Sequence, residues 1–260
     1  MSGRLSGVPG PKRSDGTAVD DHRLAAALAG GAGRLLLAVR EAGLIEGKAL
    51  GSAGDAVAQE WLNRTLAASR PDDAVLSEEA ADDQSRLDAE RVWIVDPLDG
   101  TREFSEGRHD WAVHVALAID GVPGPAAVAL PGLEQVICTA DVPATDGAHG
   151  EQLRIAVSRS RPPAEAEELA ERLEAELVPM GSAGFKAMAV VRGEADAYVH
   201  AGGQYEWDSA APVGVAAAAG LHTSRFDGSP LAYNRPDPYL PDLIVCRPDL
   251  ADPILSALAA

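Results

Sequence analysis

Long apolar runs and basic side chains are both scarce in this sequence of 260 residues. No stretch approaches the ~20 consecutive apolar residues that a membrane-spanning helix needs, so the sequence predicts no membrane partner. Lysine and arginine total 22 against 40 aspartates and glutamates, which gives a formal net charge of −18. This balance argues against strong electrostatic binding to nucleic acid polymers or anionic lipid.

Cysteine is almost absent. Cys138 and Cys246 both lie in apolar surroundings, so we expect two reduced thiols in the core rather than a disulfide. Residues 1–19 carry glycine, proline, serine and a few charges but no continuous apolar core of a secretory signal. The sequence therefore predicts a cytoplasmic protein with a flexible N-terminal tail over residues 1–19.

The order of predicted elements indicates an α/β (layered α+β) protein with two packed subdomains, residues 20–150 and 151–260. In the first, the spacing predicts a helix capped by Asp20-Asp21, a helix over about 55–69, and strands at 74–76, 91–96, 111–119, 126–130 and 134–140. A turn-rich connector follows at 141–152. In the second, it predicts strands at 153–158, 195–200 and 242–246, alternating with helices at 163–176, 183–192, 209–219 and 250–258.

The segment WIVDPLDGTREF, residues 93–104, is the most informative. Asp96 follows an apolar strand, and Pro97 after it lacks an amide proton, so we expect the chain to leave the strand there. Asp99-Gly100 then predicts a turn. Two carboxylates with the Leu98 carbonyl between them would suit Mg²⁺, which prefers hard oxygen ligands. The alternative is an ordinary Asp-Pro turn with a capping Asp-Gly.

Two more acidic segments end or begin predicted elements. Glu78 closes the strand at 74–76, and Asp208 opens the helix at 209–219, where it could also be an N-cap. Because α/β folds place their sites at one edge of a sheet, these acids are expected to meet those of the first segment.

These motifs carry a family resemblance. WIVDPLDGTREF, the preceding LSEEA and the later EWDSAAPVGVAAAAG resemble the signatures of the inositol monophosphatase superfamily, over about residue 24 to the C-terminus. The segments VSRS, GSAGFKAMAV and DAYVHAGGQYEWD resemble its CysQ-type 3′(2′),5′-bisphosphate nucleotidase branch most. The resemblance implies an αβαβα sandwich and a lithium-sensitive, Mg²⁺-dependent phosphomonoesterase.

The resemblance also implies ligands and catalytic residues. Glu78, Asp96 and the Leu98 carbonyl would hold one Mg²⁺. Asp96, Asp99 and Asp208 would hold a second, and a third, weaker ion near Glu78 occurs in some relatives. Thr101 would pair with Asp55 to accept a proton from the attacking water, although Asp55 could instead be a helix N-cap. The amides of Gly100 and Thr101 would contact the phosphate.

Substrate contacts follow by the same resemblance. They would come from Ser158, Arg159 and Ser160 and from Gly181, Ser182 and Lys186, unless these are ordinary turn and surface positions. His200 lies near the place where inositol monophosphatases have a glutamate and bisphosphate nucleotidases commonly have an arginine. A histidine there supports an inositol substrate less than a nucleotide and decides for neither. His109 and His114 are expected to be structural.

The implied reaction removes the 3′-phosphate of a small nucleotide, 3′-phosphoadenosine 5′-phosphate, and gives AMP. The sulfated form, 3′-phosphoadenosine 5′-phosphosulfate, is a second expected substrate. Inositol 1-phosphate and fructose 1,6-bisphosphate are the alternative substrates, and a catalytically silent metal or nucleotide sensor is the alternative class. Oligomeric state is open, with a homodimer implied by relatives.

Overall fold

The computed structural model describes residues 20–142 and 152–259. The expected N-terminal tail and most of the expected connector lie outside these residues. Helices of the described chain are α1 (Asp21–Glu41), α2 (Gly47–Ser69), α3 (Thr101–Ser105), α4 (Ala164–Arg172), α5 (Ala183–Val191), α6 (Glu206–Ala218) and α7 (Ala251–Leu258). Its strands are β1 (Ala74–Ser77), β2 (Arg91–Asp99), β3 (Ala112–Ile119), β4 (Val122–Leu130), β5 (Gln135–Cys138), β6 (Arg154–Ser158), β7 (Glu176–Met180), β8 (Ala197–Tyr205), β9 (His222–Ser224) and β10 (Tyr239–Cys246).

The strands form two five-stranded mixed sheets. The first has the order β1-β2-β3-β4-β5, in which β1 and β2 are parallel and the other pairs are antiparallel. The second has the order β7-β6-β8-β10-β9, in which β6 lies parallel to both β7 and β8. Each sheet is therefore built from one half of the chain.

Three apolar clusters define five layers. One cluster joins α1 and α2 to one face of the first sheet. A second lies between the two sheets around α5 and α6, and the third joins the far face of the second sheet to α4 and α7. The order of layers is thus αβαβα, as the family resemblance implied.

The period-two pattern of β3 explains how one strand serves two layers. Val113 and Val115 belong to the cluster under α1 and α2, whereas Ala116 and Ala118 belong to the cluster around α6. Small side chains on the second face let the alanine-rich helix α6 approach the sheet closely. Large apolar residues alternate with alanine and histidine along 111–119, a period of two that predicts a strand with two different faces, and the structure confirms it.

Several predicted boundaries are wrong. Helix α2 begins at Gly47 rather than Asp55, so Asp55 lies within the helix and is no N-cap. The helix predicted over 163–176 ends at Arg172, because Glu174 adopts a left-handed conformation with φ of 53°. The chain then enters β7, a strand missed because residues 173–176 favour a helix by composition. Strand β9 was also missed.

The predicted N-terminal cap of the first helix is confirmed. Asp20 caps α1 by accepting a hydrogen bond from the Arg23 N–H at 2.9 Å. Cys138 and Cys246 are both unpaired thiols, and Cys246 is buried. Within the described parts of the chain, no helix is long and apolar enough to span a membrane.

Candidate metal and substrate site

A bulge in β2 brings two carboxylates together. Asp96 and Asp99 are three residues apart, a spacing that puts side chains on opposite faces of a regular strand. Asp96 pairs with His114 on β3, however, and Asp99 pairs with Ala112. A step of three residues along β2 thus corresponds to a step of two along β3, so β2 has one extra residue between Asp96 and Asp99. This stretch contains Pro97, which cannot donate a ladder hydrogen bond. The expectation that the chain leaves the strand at Pro97 is wrong, since β2 continues to Asp99.

The Asp99 carboxylate is fixed by the first turn of α5. Its Oδ1 accepts the Ala183 N–H at 3.1 Å and its Oδ2 accepts the Gly184 N–H at 2.6 Å. The buried His114 ring places Nε2 3.1 Å from the same Oδ2, while its Nδ1 lies 3.0 Å from the Trp207 carbonyl oxygen. Burial alone would raise the pKa of Asp99, but His114 and these donors lower it to about 2. Asp99 is therefore an anion at neutral pH.

Asp208 comes to the same place from α6. It is the third residue of that helix, and its Oδ2 accepts the Tyr205 N–H at 2.7 Å. Tyr205, not Asp208, is the N-cap residue. Ligand oxygens of Asp96, Asp99 and Asp208 all lie within 4.8 Å of one another. Three elements distant in sequence therefore supply one cluster of acids.

The electrostatics of this cluster fit a divalent cation. Burial, followed by the charges of Glu78 and Asp99, raises the pKa of Asp96 well above its usual value. Burial and the Asp99 charge raise the pKa of Asp208 to about 7. Beside the Asp99 anion, a cation would therefore favour the ionised forms of Asp96 and Asp208. An all-oxygen donor set of this kind suits Mg²⁺.

Glu78 lies at the edge of the cluster. It is not among the three acids within 4.8 Å of one another, and the residue as a whole is exposed. Desolvation of its carboxyl group and the charges of Asp208 and Glu79 nevertheless raise its pKa to about 7. Its role as a ligand, like that of the Leu98 carbonyl, stays a prediction.

The structure brings the predicted Asp55 and Thr101 together. The Thr101 hydroxyl lies 3.4 Å from Asp55 Oδ1 and donates to the Leu98 carbonyl oxygen at 3.2 Å. The glycine at position 51, one turn before Asp55, allows this contact, because a Cβ atom there would lie 2.7 Å from Thr101 Cγ2. Burial and the Glu79 charge raise the pKa of Asp55 to about 6. Asp55 therefore has the affinity for a proton that a general base near neutral pH needs.

A cleft of about 370 Å³ extends from Asp99 and Asp208. This volume lies in the range of small-molecule sites. Gly100 lines the cleft with φ of 90°, and a Cβ there would lie 3.0 Å from the Ser182 Cβ. Predicted substrate residues that line it are Gly100, Ser158, Ser160, Gly181, Ser182, Lys186 and His200.

Lys186 is the buried cation of this cleft. Its ammonium donates to the carbonyl oxygens of Gly181 and Ser182, at 2.8 Å and 2.5 Å, and lies over the Tyr198 ring. Burial lowers its pKa to about 8 despite the nearby Asp99 charge. An ammonium has three donors, so one remains for a bound anion.

His200 is held as a neutral ring. Burial, and to a lesser extent the charge of Lys186, lower the pKa of His200 to about 4, although the hydrogen bond to Gly202 acts in the opposite direction. Its Nε2 lies 2.7 Å from the Gly202 carbonyl oxygen, to which it donates. His200 thus offers the cleft a hydrogen-bonding group rather than a charge.

One arginine that was predicted to contact substrate lies outside the cleft, and a neighbouring arginine lines it instead. Arg159 does not line the cleft, because its guanidinium pairs with Glu103 and Glu106 on or next to α3, at 2.8 Å and 2.5 Å. Arg161 does line it, and no carboxylate of the described residues lies within ion-pair distance of its side chain. Arg102 is a further lining cation. Neither was predicted to contact substrate: Arg161 directly follows the Ser-Arg-Ser motif, and Arg102 lies within the segment WIVDPLDGTREF.

His114 is the other residue whose contacts were missed. The alternating strand predicted a structural histidine, and the ring is indeed buried, but its contact is with the Asp99 carboxylate. Helix α5 leaves space for the ring because residue 184 is a glycine, where a Cβ atom would lie 2.0 Å from the His114 Nε2. His114 thus positions a predicted metal ligand. No local signal distinguishes this histidine from an ordinary core residue.

Comparison with known proteins identifies the class. The chain belongs to the inositol monophosphatase family, whose pattern matches residues 24–257. It is 53% identical over 261 residues to the 3′-phosphoadenosine 5′-phosphate phosphatase of Mycobacterium leprae (strain TN), covering 95% of this chain and 96% of that one. It is 33% identical over 201 residues to the 3′(2′),5′-bisphosphate nucleotidase CysQ of Escherichia coli (strain K12), covering 73% and 81%. The crystal structure of CysQ from Bacteroides thetaiotaomicron matches 87% of this chain and 97% of its own, with a TM-score of 0.75 at 26% identity.

Replacing Gly184 by alanine tests the packing behind Asp99. The new methyl group would displace the His114 ring, so Asp99 would lose a partner and shift. We expect kcat/KM to fall by about a hundredfold, the cost of a misplacement of about 1 Å. Steady-state phosphate release measures it. The control is Gly124→Ala, where the nearest atom to the new Cβ lies 3.6 Å away. Equal activities in the two variants would contradict the role of His114.

Proposed function

We propose that this chain is a Mg²⁺-dependent phosphatase that hydrolyses the 3′-phosphate of 3′-phosphoadenosine 5′-phosphate, giving AMP and phosphate, in the cytoplasm. The observation that carries the proposal is the convergence of three carboxylates, two of them buried, beside a cleft whose lining also includes Lys186 and Arg161. An anionic ester with a second anionic group fits that distribution of charge. The family membership and the phosphatase relatives support it.

Residues of the chain have separate tasks in this reaction. Asp96, Asp99 and Asp208, with Glu78 and the Leu98 carbonyl, would hold two or three Mg²⁺ ions. Bound Mg²⁺ supplies positive charge that activates water and stabilises the oxygens of an in-line displacement. Thr101 orients the water and Asp55 takes its proton. The water oxygen bonds to phosphorus, the bond from phosphorus to O3′ breaks, and the 3′ oxygen leaves as a hydroxyl after gaining a proton.

The cleft beyond the acids would hold the rest of the nucleotide. The amides of Gly100 and Thr101, at the start of α3, would contact the scissile phosphate. Arg161 is placed to pair with the 5′-phosphate, since its guanidinium has no carboxylate partner among the described residues. Arginine offers a planar set of donors that matches phosphate oxygens. A 5′-phosphosulfate would meet the same groups, so the sulfated nucleotide is a second substrate.

A panel of substrates tests the proposed specificity. With Mg²⁺ present, we expect kcat/KM for 3′-phosphoadenosine 5′-phosphate to exceed the values for inositol 1-phosphate and fructose 1,6-bisphosphate. Inositol 1-phosphate lacks a second anionic group for the cations of the cleft, and against fructose 1,6-bisphosphate the expectation rests on the nucleotide phosphatase relatives. Phosphate release in steady state measures the three values. A larger value for either sugar phosphate would overturn the proposal. Tight nucleotide binding without phosphate release would favour a silent sensor instead.

The substitution Arg161→Gln tests the second phosphate site. Losing a charged hydrogen-bond donor costs about 1.5–3 kcal/mol, which corresponds to a rise in KM of about tenfold or more for the bisphosphate. Turnover of adenosine 3′-phosphate, which lacks the 5′-phosphate, should keep its KM. The control variant is Arg172→Gln, on the outer helix α4. Equal changes in KM for both nucleotides would show that Arg161 does not contact the 5′-phosphate.

A further inference from the structure

A buried arginine outside the cleft uses four of its five N–H donors in hydrogen bonds. Arg86 is 1% exposed, and its guanidinium makes two bonds to Asp82, at 2.6 Å and 2.9 Å. The same group donates to Asn234 Oδ1 at 2.7 Å and to the Arg235 carbonyl oxygen at 2.9 Å. A buried charge is costly unless it is paired in this way. The arginine therefore ties together two segments about 150 residues apart in sequence.

A buried glutamate holds the same loop from the other side. Glu206 is 1% exposed and is the first residue of α6. Its two carboxylate oxygens accept the backbone N–H groups of Asn234 and Arg235, each at 2.7 Å. Asn234 has φ of 57°, and its amide donates to the Arg86 carbonyl oxygen at 2.9 Å. We call Asp82, Arg86, Glu206, Asn234 and Arg235 the Arg86–Glu206 clamp.

The clamp joins two segments that carry acids of the site. Asp82 lies four residues after Glu78, in the loop that follows β1, and Glu206 lies two residues before Asp208. Glu78 itself is exposed, and no hydrogen bond from its side chain to another described residue holds it toward the cluster. Its distance from Asp208 is thus set by where the loop and the helix are anchored. The clamp joins those two anchors through Asn234 and Arg235, which bond to Arg86 on one side and to Glu206 on the other.

We propose that Arg86 and Glu206 are positioning residues that hold Glu78 and Asp208 at the spacing a divalent cation requires. They contact neither the cleft nor the reacting groups, so they act through the loop and the helix. This inference rests on the proposed metal site. Partners that orient metal ligands typically change metal affinity by about 10- to 100-fold when they are removed.

Direct binding of Mg²⁺ by calorimetry tests the clamp without relying on turnover. We expect Arg86→Met to raise the Kd for Mg²⁺ about tenfold or more. Glu206→Gln should also raise the Kd, because the amide NH₂ that replaces one carboxylate oxygen cannot accept a backbone N–H. This second variant tests the clamp if Arg86→Met does not fold. The control is Arg91→Met. Arg91 also makes two bonds to a carboxylate, that of Asp73 at 2.8 Å and 2.9 Å, but at the opposite end of β2 from the acids.

The possible outcomes distinguish a failure of the clamp proposal from a failure of the proposed metal site. Wild-type affinity in a folded Arg86→Met or Glu206→Gln protein would overturn the clamp alone. An equal loss of affinity in Arg91→Met would also overturn it, since general destabilisation would then explain the effect. Absence of Mg²⁺ binding by the wild-type protein would overturn both the clamp and the proposed metal site. Weakened binding in the clamp variants only, with thermal unfolding of all variants still cooperative, would support it.

Discussion

Repulsion among the carboxylates of Asp96, Asp99 and Asp208 is the constraint on which the rest of this structure depends. Three acids within 4.8 Å of one another, two of them buried, are unfavourable in the absence of a cation. Each is therefore held by backbone N–H groups that the fold supplies. Asp96 accepts the Leu98 N–H at 3.0 Å, whereas Asp99 and Asp208 accept those at the starts of α5 and α6. The helices that fill the middle layer thus also fix the acids.

The same arrangement explains how a very acidic protein can bind an acidic substrate. A net charge of −18 repels a polyanion at long range. A bound divalent cation would reverse the local sign at the cluster, and Lys186 and Arg161 add positive charge along the cleft. The overall charge therefore argues against nucleic acid polymers, while the placement of a few charges favours one small anion. The remaining surplus of acid needs no further function.

The layered α/β class and the clustered acids could be predicted because both depend on local patterns, whereas the αβαβα order of layers followed from the family resemblance. Alternation along β3 and the spacing of Asp96 and Asp99 can be found without knowing the fold. The bulge that turns both acids to one side depends on register with β3, a non-local property. Arg159 was expected in the cleft, but Glu103 and Glu106, more than fifty residues earlier, draw it away. The start of α2 was missed because glycines at 47, 51 and 54 weaken the helix signal.

Phosphate release by Asp96→Asn at saturating Mg²⁺ measures whether the cluster of acids is needed for turnover. Asp96 is 1% exposed, and its carboxylate lies within 4.8 Å of both other acids. Its charge should therefore be indispensable to cation binding. The account predicts less than about one hundredth of the wild-type rate with 3′-phosphoadenosine 5′-phosphate, and an unchanged rate for Asp249→Asn, an exposed control. More than a few per cent of wild-type activity in Asp96→Asn would contradict the account.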